Sequence, residues 1–188
     1  MRKVKAAIGS VVFFAANPGM MGGFVPWLLT HWRSSHPPRA LEALGGALIV
    51  VGAGMLLETI VRFVLEGRGT PHPGAPTEEL VIGGSYRYVR NPMYLAVIAA
   101  ILGQALWFGR LVLLIYAVVF WLIVASFAYF DEEPTLSRRY GEQYAPYRFA
   151  VPGWWPRLRP WSPEGRGHRD AVAILDQPRS ASTTHSTW

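Results

Sequence analysis

Four long apolar runs, separated by short polar breaks, divide most of this chain. Ala6 to Trp32 holds no Asp, Glu, Lys or Arg, and Ala40 to Leu65 is apolar apart from Glu42, Glu58, Thr59 and Arg62. Met93 to Phe108 and Leu111 to Phe130 are both free of charge. A helix that crosses a bilayer needs about 20 apolar residues, with about 17 to 25 as the working range. The first, second and fourth runs meet that length, and the third meets it once Pro92 and Gly109 extend it to the interfaces. The pattern predicts an all-α integral membrane protein of about four transmembrane helices, at about 6–30, 42–63, 92–108 and 111–130. The first is expected to bend, because Asn17-Pro18-Gly19 and Pro26 interrupt helix hydrogen bonding. It is read as a retained span and not as a secretory signal, since its apolar stretch exceeds the usual core of about 7 to 15 residues and no small-x-small site ends it.

The breaks carry their own information. Gly109-Arg110 leaves room only for a tight turn, so the third and fourth helices form an antiparallel hairpin. The connection from His31 to Arg39 is short and closes on Pro37-Pro38. Glu66 to Gly84 is rich in Gly and Pro and has no periodicity, and a loop of that length is often functional. Behind Pro134, the positions Leu136, Tyr140, Tyr144 and Tyr147 recur at helical spacing with Arg138, Arg139, Glu142 and Gln143 between them, which predicts a C-terminal amphipathic helix at the interface. Trp154 and Trp155 then suit the headgroup level. From Ser162 the chain is polar and aperiodic, so the expected organisation is one membrane domain over 1–161 and a disordered tail over 162–188.

Charge changes the picture through its placement. A net charge of +6 with a pI near 10.0 invites a nucleic-acid reading. With four spans, however, 15 of the 18 Lys and Arg fall on one side, leaving Arg33, Arg39 and Arg110 opposite. That bias follows the positive-inside rule and puts both termini in the cytoplasm. The charge is topological, and no nucleic acid is implied. The absence of Cys excludes disulfides and thiolate chemistry. The five His show no metal-ligand spacing, so no metal is expected, and His72 alone lies near the polar clusters described next. There is no GxGxxG fingerprint, Walker loop or nucleophile elbow.

Two polar clusters bracket the helical hairpin, and a bilayer would hold them on the same side. Arg90 stands just before Pro92, at a predicted helix start. It reads either as an interfacial anchor or as a clamp for a carboxylate or phosphate. Asp131, Glu132 and Glu133 follow the fourth span, where the helix dipole disfavours carboxylates. They read either as partners of Arg90, Arg138 or Arg139, or as a cation acceptor. An anion clamp beside a cation acceptor suits a zwitterion such as S-adenosylmethionine, whose sulfonium the faces of Tyr88, Tyr94, Tyr140 or Tyr144 would stabilise. NADPH would also call for arginines, through its phosphates. Glu58 and Arg62 are spaced for an i,i+4 pair, and Gln104 reads as glue between helices.

These residues also carry a resemblance. Gly84, Tyr86, Arg90, Asn91, Pro92 and Tyr94 fit the approach Gly-x-Tyr-x-x-x-Arg-[His/Asn]-Pro-x-Tyr. Glu132, Glu133, Leu136, Tyr140, Gly141, Tyr144, Tyr147, Val151 and Pro152 fit the pattern Glu-Glu-x-x-Leu, [Phe/Tyr]-Gly-x-x-Tyr-x-x-Tyr, Val-Pro. In both, the chain from about Gly67 to Pro156 resembles the isoprenylcysteine carboxyl methyltransferase family and its relatives, the phospholipid N-methyltransferases. The resemblance implies an S-adenosylmethionine-dependent methyltransferase, in a bacterial inner membrane with its site facing the cytoplasm. A lipophilic carboxylate or amine would enter from the membrane lipids. It also implies catalytic roles for Arg90, Glu132 and Glu133, and cofactor contacts from Tyr88, Arg90, Asn91, Pro92, Tyr94, Glu132, Glu133, Tyr140 and Tyr144. Asn91 replaces the His of the eukaryotic enzymes, and an amide cannot shuttle a proton near neutral pH. Sterol reductases of the membrane share a similar C-terminal pattern and use NADPH, but their chains are longer. A non-enzymatic membrane protein is the third alternative.

Overall fold

Helix α1 (Val25–Thr30) is the end of a bent segment, entered through a single π-helical turn at Met20–Phe24. The computed structural model describes residues 17–66 and 80–162, so the start of the first predicted span, the Gly/Pro-rich part of the middle loop with His72, and the tail beyond Ser162 lie outside the described residues. Helix α2 (Arg39–Glu66), α3 (Pro92–Phe108) and α4 (Leu111–Phe127) follow, with a short 3-10 turn at Gly84–Arg87 between α2 and α3. Helix α4 runs through a second π-helical turn (Ala128–Glu132) into α5 (Glu133–Ala150). Among the described residues there is no strand, so the fold is all-helical.

Two helical stretches, Arg39–Arg62 and Leu111–Ala150, are long and apolar enough to cross a membrane by length and composition, and α3 is a shorter apolar helix. Their outer surfaces agree with that reading. Val50 is 72% exposed and Leu111 70%, and Leu57, Ile115, Val118, Leu122 and Ile123 are also exposed. A water-facing helix would carry polar residues at such positions, whereas lipid accepts apolar ones.

Where apolar burial cannot drive helices together, close backbone approach can. Helices α2 and α3 meet in this way. A methyl placed on Gly45 would come within 2.6 Å of the Gly103 carbonyl oxygen, and one on Gly52 within 2.7 Å of the Ala96 carbonyl oxygen. From the other side, a methyl on Gly103 would lie 2.7 Å from the Gly45 oxygen. Val97, Ile101, Ala117, Phe120 and Val124 then fill the space between α3 and α4. The first segment is fixed by polar side chains. A π turn shifts the backbone bonding pattern and frees carbonyls, and Gln104 Nε2 donates to Gly22 O (2.6 Å) while the Tyr116 hydroxyl donates to Met21 O (2.9 Å). Gln104 thus acts between helices, as expected.

The turn between α3 and α4 is made at Gly109, with φ +65°, and it packs on Pro37 of the loop before α2. Arg110 Nε donates to Arg33 O over 2.8 Å, so two of the three arginines assigned to the outer side do share one end of the bundle. Arg90, Glu132 and Glu133 lie at the other end, as the hairpin expectation requires.

Helix α5 departs from the uniform interfacial helix expected. It breaks at Gly141, whose φ of +44° and ψ of −115° are not helical. Nothing crowds the Gly141 α-carbon, so the demand is on backbone conformation, which glycine meets without a Cβ penalty. The break brings Arg148 Nη2 to 3.0 Å from Glu133 Oε2. In a straight helix, 15 residues rise about 22 Å, far beyond the reach of the two side chains. The buried aromatic positions face the protein itself: Tyr144, Tyr147 and Val151 form a cluster with Leu80, Ile82, Leu136, Tyr140 and Trp161 packed against it.

Candidate functional site

The site begins with a turn and a proline. Gly84 takes φ +51° and opens the 3-10 turn that carries Ser85, Tyr86 and Arg87. Pro92 then starts α3, and Asn91 precedes it without capping the helix through its side chain. Arg90 sits between these two features and is the hub of the region. Its backbone N–H donates to Pro152 O (2.9 Å) and its Nε to Val151 O (2.9 Å). Its Nη1 pairs with Glu133 Oε1 and also lies 3.2 Å from the Tyr144 hydroxyl. Both side chains of the Arg90–Glu133 pair are only 15% exposed. Breaking such a pair from one side leaves a poorly hydrated charge, which costs about 3 kcal/mol or more.

The segment after α5 is laced to the stretch from Tyr86 to Asn91 that leads into α3. Asn91 N–H donates to Gly153 O (3.3 Å), Arg157 N–H to Tyr88 O (3.0 Å) and Trp161 N–H to Arg87 O (3.0 Å). Arg87 Nε returns a bond to Trp161 O (2.7 Å), and the Tyr147 hydroxyl donates to Tyr86 O (2.8 Å). Trp154 lies between α3 and α4. Its ring stacks on Tyr94 at 6.2 Å with an interplanar angle of 20°, and meets Trp121 edge-on at 6.2 Å. Trp155 is 82% exposed, so of the two tryptophans assigned to the headgroup level, one points outward and the other closes on the helices.

The two glutamates differ in their surroundings. Glu133 has two arginines, Arg90 and Arg148. Glu132 accepts a bond from the Tyr94 hydroxyl over 3.3 Å. It lies past the apolar stretch of α4, and burial holds its carboxyl above the usual carboxylate range. The Tyr94 bond opposes that push, and the charges of Glu133 and Asp131 add to it. Tyr86 lies alongside. Burial, then the charges of Glu132 and Glu58 among others, raise its phenol above the usual tyrosine range. Tyr86, Tyr94 and Glu132 are each partly buried, and the Tyr94–Glu132 bond joins the foot of α3 to the end of the second π-helical turn.

The expected site residues are therefore gathered unevenly. Arg90, Asn91, Pro92, Tyr94, Glu132, Glu133 and Tyr144 converge at one end of the α3–α4 hairpin. Tyr140 packs at the edge of the aromatic cluster under a cation–π contact from Arg139 (5.6 Å), and Tyr88 is exposed. Tyr144 is buried and turns its hydroxyl, not an open ring face, toward Arg90. Three participants were missed: Arg148, hidden by the break at Gly141; Trp154; and Ser85, which joins Glu58 to the turn. Among the described residues no group of His, Asp and Glu could hold a metal ion.

A family model described as phospholipid methyltransferase matches residues 41–143, more than half of the chain. The match spans α2, α3, α4 and the first arm of α5, and so includes Arg90, Glu132 and Glu133. No curated protein and no solved structure matches the chain significantly.

Proposed function

Because the chain belongs to the phospholipid methyltransferase family, we propose that this membrane methyltransferase uses S-adenosylmethionine to methylate a lipophilic carboxylate or amine. The observation that carries the reading is the convergence of Arg90, Tyr94, Glu132 and Glu133 at one end of the α3–α4 hairpin. The wider proposal has four spans with both termini cytoplasmic, a methyltransferase domain over 1–161 and a polar tail over 162–188.

The two glutamates take different roles in it. Glu133 holds Arg90 in place, and Arg90 with the start of α3 receives the donor's carboxylate. Glu132, bonded by the Tyr94 hydroxyl, receives the positive end of the donor, with the Tyr94 ring beside it. Transfer is in-line: the acceptor oxygen or nitrogen forms its bond to the methyl carbon as the carbon–sulfur bond breaks, and that electron pair neutralises the sulfonium. Alignment of the three centres supplies most of the rate. A carboxylate acceptor needs no base. An amine must shed a proton, and a carboxyl whose burial raises its proton affinity suits that task, so Glu132 is the base in that case.

The test is a titration of purified protein in lipid nanodiscs with S-adenosylhomocysteine, with NADPH as competitor. Binding that NADPH does not displace supports the reading. Saturable NADPH binding with none to the methyl-donor product overturns it. Glu132→Gln should lower donor affinity by about tenfold while the protein stays folded, as expected for one lost charged contact.

A further inference from the structure

Glu58 belongs to α2, away from both motifs that define the site. Its Oε1 accepts from Arg62 Nε at 3.0 Å, and a pair of this kind along one helix is ordinarily worth only a few tenths of a kcal/mol. Its Oε2, however, accepts from the Ser85 hydroxyl at 2.6 Å, 27 residues further on. The backbone of the same turn is pressed against the carboxylate. A methyl on Gly84 would lie 1.8 Å from Glu58 Oε1 and 2.7 Å from Arg62 Nε, and Gly84 also adopts a left-handed φ of +51°. Three features at two adjacent residues thus answer to one carboxylate: the hydroxyl, the missing side chain and the backbone conformation. The turn continues directly into the hub, because Tyr86 N–H bonds Gly83 O, and Tyr88 and Val89 N–H both bond Ser85 O, one residue before Arg90.

We propose that Glu58 is a positioning residue for methyl transfer, holding the Gly84–Arg87 turn from α2 so that Tyr86 faces Glu132 and Arg90 meets Glu133. It touches no reacting atom and acts through Ser85 and the turn. The inference rests on the methyltransferase reading for its effect on catalysis, but its effect on the turn stands independently. Among the described residues, α2 reaches the turn from this side, so the helix that packs backbone-to-backbone on α3 also sets the geometry at the foot of α3.

The test compares Glu58→Ala, Glu58→Gln, Ser85→Ala and the Glu58→Ala/Ser85→Ala double variant, all in nanodiscs. Hydrogen exchange reads the turn. Glu58→Ala should speed exchange of the Tyr86, Tyr88 and Val89 amides about tenfold while leaving the amides of α4 unchanged. Binding of S-adenosylhomocysteine reads the site. Glu58→Ala and Ser85→Ala should each weaken it by about threefold to tenfold, the range expected for one lost hydrogen bond. The double variant should be no worse than the stronger single one, because both act through one contact. Glu58→Gln keeps an acceptor for Ser85 and should recover at least half of the loss, which a mere loss of fold stability would not show. Unchanged exchange in the turn, or multiplicative losses in the double variant, overturns the proposal. If the wild-type protein binds no S-adenosylhomocysteine, the methyltransferase reading fails while the exchange measurement still decides whether Glu58 holds the turn.

Discussion

Along most of its length α3 touches α2 backbone to backbone through Gly45, Gly52 and Gly103, whereas at its inner end it is fastened through Arg90 to α5 and to the backbone of the segment behind α5. The first attachment depends on side chains that are missing and needs no charge. The second depends on one guanidinium whose partners lie on α5 and on the segment behind it. An interface of the first kind is indifferent to pH and salt but tolerates no added volume. One of the second kind accepts changes of volume at its rim and is sensitive to every change of charge. The protein thus anchors its helices by contact and leaves electrostatics to the end where chemistry is expected.

The harshest way to break this contrast is to add volume at the glycine contact. Gly103→Leu would drive a side chain into the Gly45 carbonyl and the backbone of Ile49, which cannot move aside as a rotamer does. A loss above about 3 kcal/mol is expected, read as absence of a cooperative thermal transition in nanodiscs. A folded Gly103→Leu protein with a near-native midpoint would mean that the two helices are not packed this closely. Next comes Arg90→Ala, which leaves Glu133 only the half-exposed Arg148 and frees the Tyr144 hydroxyl together with Val151 O. It should cost about 3 kcal/mol and, unlike Gly103→Leu, should leave α2 and α3 protected from hydrogen exchange.

How far these two regions could be read from the residues alone differs in the same way. The apolar runs and the Gly109-Arg110 turn sufficed to bring Arg90 and the glutamates to one end, because hairpin geometry follows from length. Glu58 with Arg62, and Gln104 between helices, were legible because helical spacing and the cost of polar groups in lipid leave few choices. The pairing of Glu133 with Arg148 was not legible. It depends on a single backbone break at Gly141, and a glycine inside a periodic stretch does not announce whether it bends the helix. The bond from Ser85 to Glu58 joins a loop to a helix face, a relation with no periodic signature. The wedge formed by Trp154 was missed for the opposite reason, since a tryptophan near a membrane boundary already had an adequate explanation.

Glu132 sharpens the comparison within the polar end. Its folded proton affinity is raised, so the native state holds a proton more tightly than the unfolded chain does. The stability this confers is fully present below the ordinary glutamate range and is lost as pH rises through the raised value. Glu132→Gln should therefore flatten the pH dependence of stability and match or exceed the wild type at pH 7, while lowering turnover. An unfolding free energy that varies with pH identically in wild type and Glu132→Gln would show that Glu132 is well hydrated. The smallest effect is expected for Arg148→Ala. Its side chain is 49% exposed, and with Arg90 still in place the loss should stay under about 1 kcal/mol. A loss as large as that of Arg90→Ala would make the two arginines equal members of one lock.

The position of Arg90 in the chain has a consequence for biogenesis. Each of its described partners (Glu133, Tyr144, Val151 and Pro152) is synthesised later, the last of them after the final apolar run. Helices α2, α3 and α4 are therefore synthesised in full before Arg90 has any of these partners. A nascent chain halted just after α4 would carry Arg90 without any of these partners. The polar end can thus close around Arg90 only after the last apolar run has been made, an order that the chain positions of its partners impose.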